Sequence, residues 1–119
     1  MKKLLCLSLL SCFAVLGTQL DVEYTFEKDN VTHTLKNTIT TTLDEIRTIE
    51  DEKVAIELLI IDQQEADVII VTNVYEKNGN QKKLISSPVV RAFWDKTAQI
   101  VIESTDEAIL SLAITPSKE

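Results

Sequence analysis

The chain has 119 residues, 45% of them hydrophobic and 26% charged, with a formal net charge of -7. That length holds one domain at most, and the apolar fraction excludes a disordered chain. The acidic balance argues against nucleic acid or an anionic membrane as a main partner, because both reward clustered Lys and Arg.

The N-terminus reads as an export signal. Lys2 and Lys3 form a short positive region, and Leu4 to Leu16 is an apolar stretch interrupted only by Ser8 and Ser11. A run of that length suits a signal peptide and is too short for a permanent membrane anchor. Val15 and Gly17 form an acceptable pair for cleavage before Thr18, and cleavage after Ala14 is the competing choice. The expected organisation is therefore a signal peptide over 1–17 and a single β-rich domain over 18–119. The Lys-Lys-Leu-Leu opening has a bacterial look, which makes the expected location periplasmic or secreted.

Both cysteines, Cys6 and Cys12, fall in this leader. Leu9-Leu10-Ser11-Cys12 resembles the lipobox of bacterial lipoproteins, which implies Cys12 as a possible lipidation site and an envelope anchor as the alternative location. The apolar run continues through Phe13-Ala14-Val15-Leu16, which favours ordinary cleavage. Such cleavage removes two lysines and no acid, so 10 basic residues face 19 acidic ones, a net of -9 over 102 residues. The mature chain then has no disulfide, no thiol nucleophile and no thiolate metal ligand.

Beyond the leader, period-2 alternation dominates. Val22, Tyr24 and Phe26 alternate with Glu23, Thr25 and Glu27, and Asp29-Asn30 signals a turn. Val31 to Leu43 alternates again, with threonines on the wet face, where a β-branched hydroxyl suits a pleated surface. Asp44 to Lys53 reads as strand, irregular connection and turn, and a short helix around 43–53 would make the fold α+β instead. Val54 to Ile61 and Val68 to Val74 are nearly continuous apolar runs, expected to be buried on both faces or central in a sheet.

Around Asn78-Gly79, a four-residue loop from Asn78 to Gln81 matches apolar to apolar residues. It pairs Tyr75 with Leu84, Val74 with Ile85, Ile70 with Val89 and Ile69 with Val90. Pro88 lacks an amide donor and marks an edge, a bulge or the end of pairing. Val89 to Trp94, Thr97 to Glu103 and Ala108 to Thr115 complete the set. About seven strands predict an all-β fold, an antiparallel β-sandwich or curled sheet.

Reactive groups are few. His33 is the only histidine and lies on the more apolar face of its strand, which predicts a half-buried, hydrogen-bonded role rather than a catalytic base. Without a second His or a mature Cys, zinc sites of the usual kind are excluded. No nucleophile elbow is present, and one mature glycine, Gly79, permits no phosphate-cradling glycine motif. The acid clusters lack calcium-loop spacing and read as solvated loops. The Thr-x-Thr pairs of residues 32–42 lie along one strand, whereas flat ice-binding arrays repeat them on stacked turns. Phe93 and Trp94 are adjacent, so a regular strand points them to opposite faces. One should be core and the other a possible anchor of an interaction patch with Pro88.

Leu84-Ile85-Ser86-Ser87-Pro88, then Val89-Val90-Arg91-Ala92, a turn, and Lys96-Thr97-Ala98-Gln99-Ile100 resembles a β-hairpin of the bacterial secretin family. A similar hairpin occurs in small exported bacterial β-domain proteins of unassigned function. The resemblance implies a hairpin topology and a bacterial envelope setting, not secretion activity, because this chain is too short to form a multimeric channel.

The leading expectation is an exported, non-enzymatic binding protein of the bacterial envelope, without cofactor, metal or catalytic residue. Its expected partner is another envelope protein or a small ligand. A lipoprotein with a structural role anchored through Cys12 and a carboxylate-dependent hydrolase are the alternatives.

Overall fold

The computed structural model describes residues 17–103 and 108–118. Alternating sequence becomes nine antiparallel strands there: β1 (Thr18–Lys28), β2 (Val31–Thr41), β3 (Ile46–Glu50), β4 (Val54–Gln63), β5 (Asp67–Asn78), β6 (Gln81–Ser86), β7 (Val89–Phe93), β8 (Ala98–Glu103) and β9 (Ile109–Lys118). One sheet, A, runs β2-β1-β9-β8. The other, B, runs β3-β4-β5-β6, with β7 also pairing β5. The two sheets pack as an all-β sandwich, as the alternation predicts.

Turn chemistry explains the connections. Asp29 and Asn30 both take positive φ (54° and 64°), as the two-residue hairpin from Lys28 to Val31 requires. Gly79 at φ 64° opens the β5–β6 turn. Asn78 pairs Gln81, so this loop has two residues, Gly79 and Asn80, rather than four. The two passages between sheets, β2 to β3 and β7 to β8, each place an aspartate in the left-handed region, Asp44 at 65° and Asp95 at 63°. Aspartate tolerates that conformation better than most residues. Each is tied to a neighbouring strand, Asp44 N–H to the Ile60 carbonyl (2.9 Å) and Asp95 N–H to the Pro116 carbonyl (2.7 Å).

Two expectations need correction, and one alternative falls away. Residues 46–50 form strand β3, which removes the alternative of a short helix there, because Ile49 pairs Ile56 and fills the core. The expected register holds at Tyr75–Leu84 but slips by one at a bulge near Ile85, so Val74 meets Ser86, Ile70 meets Val90 and Val71 meets Val89. The slip sits at Ile85 itself, and the register is the same on both sides of Pro88, whose carbonyl accepts from Thr72 N–H (3.0 Å) and Thr72 Oγ1 (2.8 Å). Finally, β7 and β8 do not form a hairpin with each other, since β7 lies in sheet B and β8 in sheet A.

The core lies between the sheets. Leu20, Tyr24, Leu112 and Ile114 from sheet A meet Ile56, Leu58, Ile60 and Ile70 from sheet B, all essentially without exposure. Trimming one such leucine to alanine costs about 2–5 kcal/mol through lost burial and the cavity left behind. Strands β4 and β5 are central, as their apolar runs predict. Only one face of them is fully covered.

Candidate functional site

Register places the second face of sheet B in the open. On that face Ile46 pairs Leu59, Leu59 pairs Val71, and Val71 pairs Val89. Four apolar side chains thus stand in one row across β3, β4, β5 and β7. Ile46 is 61% exposed and Val89 63%. Leu59 and Val71, in the middle, are half-buried. A bulge between Ile60 and Asp62 turns Ile61 out beside them, and Phe93 extends the patch at the end of β7 with 48% exposure. A contiguous apolar patch of this kind on a sheet face is the usual mark of an interaction surface.

The charged groups around this face have partners within the chain. Glu57 accepts from Asn73 Nδ2 (3.2 Å) and Tyr75 Oη (2.9 Å). That hydrogen bond holds the Tyr75 hydroxyl above its ordinary pKa. Asp67, buried on this face opposite Phe93, is paired with Arg91 Nε at 2.5 Å, and the Arg91 guanidinium lies 5.5 Å from the Phe93 ring centre. Glu50 takes Lys77 (3.2 Å) and Lys82 (3.7 Å). Hydrogen bonding from Lys77, then the charges of both lysines, hold its carboxyl below the usual range.

Of the expected patch Pro88, Phe93 and Trp94, the structure brings only Phe93 to this face; Pro88 precedes β7 and stands opposite the buried Thr72. Trp94 departs from it. Its ring packs against the core, its indole N–H donates to the Gln64 carbonyl (2.9 Å), and the Lys118 ammonium lies 5.1 Å from the ring centre. Cys12 lies outside the described residues. The row itself was not read from the sequence. Its signal was present in the unbroken apolar runs, which read as doubly buried strands when the second face in fact has no sheet over it.

A polar network joins the sheets at one edge. His33 on β2 bonds Asp51, in the connection leading into β4, through Nε2 and Oδ2. The other Asp51 oxygen accepts the backbone N–H groups of Lys53 and Val54, both at 2.9 Å. The Tyr24 hydroxyl is buried with no hydrogen-bond partner of regular geometry, and Asp51 is the charge that acts on it. Burial first, then Asp51, push the Tyr24 pKa far up. Burial also works against ionised Asp51, but the Tyr24 hydroxyl, the two amides and His33 outweigh it and bring the carboxyl down to about 2. His33 is thus half-buried and hydrogen-bonded, as its place on the strand predicts.

Beside this network is an open groove of about 420 Å³, floored by Phe26 and Val31 and edged by Lys28, His33, Glu76 and Lys77. Of its cations, Lys28 pairs with Glu76 (3.6 Å) and Lys77 with Glu50. Among the described residues no three His, Cys, Asp or Glu side chains converge as a metal site, and no helix is long and apolar enough to cross a membrane.

The opposite outer face, on sheet A, has a different character. Asp21, Glu23 and Glu27 stand there among threonines, with Thr38 Oγ1 donating to Asp21 (2.7 Å) and Thr97 and Thr115 hydroxyls 2.6 Å apart. That face carries these acids exposed. Comparison with known proteins finds no matching family model, no matching curated protein and no matching solved structure.

Proposed function

We propose that the chain is an exported, non-enzymatic interaction protein of the bacterial envelope, which binds a protein partner through the outer face of sheet B. The observation that carries this reading is the apolar row Ile46–Leu59–Val71–Val89. A row of exposed apolar side chains across four strands favours a protein surface over a small ligand, because small molecules select concave sites that surround them. The titratable side chains described above have partners within the fold: His33 and Asp51 join the sheets, Glu57 is held by Tyr75 and Asn73, and Asp67 by Arg91. Export is supported by the leader pattern of Lys2, Lys3 and Leu4 to Leu16. The first strand begins at Thr18, immediately after the expected cleavage point.

Site-specific photo-crosslinking in intact cells tests the reading. A photoreactive residue at Val89 or Ile46 should yield discrete crosslinked products in the envelope fraction, and one at Thr115, on the other outer face, should not. Absence of any product at Val89 and Ile46 overturns the reading.

A further inference from the structure

We infer that the outer edge of β2 pairs with the same edge of a second copy, antiparallel about Leu35, so that two copies of sheet A become one continuous sheet. This contact uses a different surface from the role proposed above and leaves the outer face of sheet B open.

The β1–β2 hairpin decides which backbone groups are open. Residues flanking a two-residue turn exchange both backbone bonds, and such pairs alternate with unbonded ones along the ladder. Lys28 and Val31 flank the turn, so Val31, His33, Leu35, Asn37 and Ile39 direct their backbone groups to β1. Thr32, Thr34, Lys36 and Thr38 direct theirs away from it. Thr40 has the same parity, and its carbonyl accepts from the Arg47 guanidinium of β3. Among the described residues no other backbone group bonds Thr32, Thr34, Lys36 or Thr38 from the open side, and all four residues are exposed.

The other edges are blunted. Strands β3 and β8 have only 5 and 6 residues. Strand β6 carries Lys82 and Lys83, and β7 follows Pro88 and carries Arg91. Strand β2 has 11 residues without proline, and its register with β1 runs without a bulge. A long, regular edge of this kind invites another strand.

Side chains select a second copy and fix its register. Backbone bonding requires open residues to face open residues. With a twofold axis perpendicular to the sheet beside Leu35, Thr34 pairs Lys36 of the second copy and Thr32 pairs Thr38 of the second copy, with the reciprocal pairs, about eight bonds in all. On the inner face the same axis sets Leu35 against itself, His33 against Asn37 and Val31 against Ile39. On the outer face threonines line the seam, and Lys36 faces Thr34 with its own Glu23 beside it (3.8 Å). The neighbouring registers fail. An axis beside Thr34 sets His33 against Leu35 and Val31 against Asn37. An axis beside Lys36 sets that lysine against itself and Leu35 against Asn37.

Charge permits the approach. The chain has a net charge of -7, yet β2 contains no acid. Asp21 stands behind Thr38 and Glu27 behind Thr32, so two threonines separate Asp21 from Glu27 of the second copy. Three strand spacings put them about 14 Å apart, beyond the screening length at physiological salt.

The test uses protein purified after expression of the full chain. Sedimentation across a concentration series should show a monomer–dimer equilibrium. Thr34→Pro removes an open N–H and no bond to β1, and should weaken the dimer about 30-fold, because each copy loses one bond across the seam. Val89→Glu, on sheet B, should leave the equilibrium unchanged. In a Cys6→Ser, Cys12→Ser background, Leu35→Cys should form disulfide-linked dimers on oxidation, because facing residues of an unbonded pair have Cα atoms about 4.5 Å apart. Glu23→Cys, one strand behind the seam, should not. Where circular dichroism shows Thr34→Pro unfolded, the Leu35→Cys link decides. A wild-type chain that stays monomeric at high micromolar concentration overturns the inference, as does a dimer that Leu35→Cys fails to link. A photo-crosslink from Thr34 to a different protein, with a monomeric purified chain, gives the edge to a foreign strand and also overturns it. Products at Ile46 and Val89 test the sheet B role separately.

Discussion

Asp51 and His33, eighteen residues apart, tie the edge of one sheet to the other by a direct side-chain bond. Asp51 is the hub of that contact because its second oxygen also caps the start of β4 through Lys53 and Val54. The consequence is a dependence of stability on pH. The folded carboxyl titrates at about 2, against 3.8 ordinarily. A depressed carboxylate contributes stability that is fully present above its unfolded value and is lost as pH falls through the folded one. The window is therefore from about pH 4 down to about pH 2. The carboxylate is mostly buried, and its contribution is about 2 kcal/mol. Urea unfolding at pH 6 and at pH 2.5 should show this loss, and Asp51→Asn should start lower at pH 6 and lose less on acidification. Equal acid slopes in wild type and Asp51→Asn would refute the assignment.

The two tyrosines give an alkaline counterpart. Tyr24 and Tyr75 are the only ones in the chain, and both hydroxyls are held above their ordinary value of 10.0, Tyr24 by burial and then Asp51, Tyr75 by its bond to Glu57. A raised tyrosine contributes stability present below the unfolded value and lost as pH rises beyond it. Tyrosinate absorbance should therefore stay low through pH 10 in the folded chain and rise together with the loss of β-sheet circular dichroism. Tyr24→Phe should remove most of this coupling. A tyrosine ionising freely near pH 10 while the fold is intact, in wild type, contradicts the burial of Tyr24 or the Glu57 bond.

The alternation of β1 and β2, the turn at Asp29-Asn30 and the placement of His33 were legible because period-2 patterning reports one buried face directly. The one-residue slip at Ile85 was not, since matching apolar to apolar assumes an unbroken ladder and a bulge interrupts it there. Strand β3 escaped because Leu43, Ile46 and Ile49 have helical spacing, and only pairing with β4 decides between the two. The candidate face was illegible for a more general reason. In Val54 to Ile61 and Val68 to Val74 both faces are apolar, and sequence shows that a face wants cover without showing what supplies it. The adjacency of Phe93 and Trp94 was legible, since neighbours on a strand point to opposite sides: Phe93 is exposed and Trp94 packs against the core.

Arg91 and Asp67 allow the cost of an uncompensated charge to be measured. Asp67 is 3% exposed, and Arg91 is the cation that holds it. Arg91→Ala leaves a carboxylate with little access to water, which should destabilise the fold by about 1–3 kcal/mol. The solvent exposure of Arg91 keeps the effect at the lower end. Adding Asp67→Asn should recover part of the loss, because a neutral amide has less desolvation to offset. Chemical denaturation of the two single variants and the double variant gives the coupling. A strictly additive result would mean that Asp67 finds its stabilisation elsewhere.

Processing of the N-terminus can be predicted from the ladder itself. Every registered pair of β1 involves residue 18 or later: Thr18 meets Thr41 on one side and Lys118 on the other. Thr18 Oγ1 also accepts from Gln63 Nε2 at 2.7 Å, which ties the start of β1 to sheet B. Cleavage before Thr18 therefore keeps all of these pairings of β1 and its bond to sheet B. Mass spectrometry of protein recovered from the envelope fraction should give Thr18 as the first residue, and Cys12→Ser should leave that mass and location unchanged. A first residue of Val15 moves the cut to the competing site after Ala14 and keeps the export reading. A fatty-acylated Cys12 as the first residue replaces soluble export with a lipid anchor. A chain that retains Met1 and stays in the cytoplasm removes the export reading altogether.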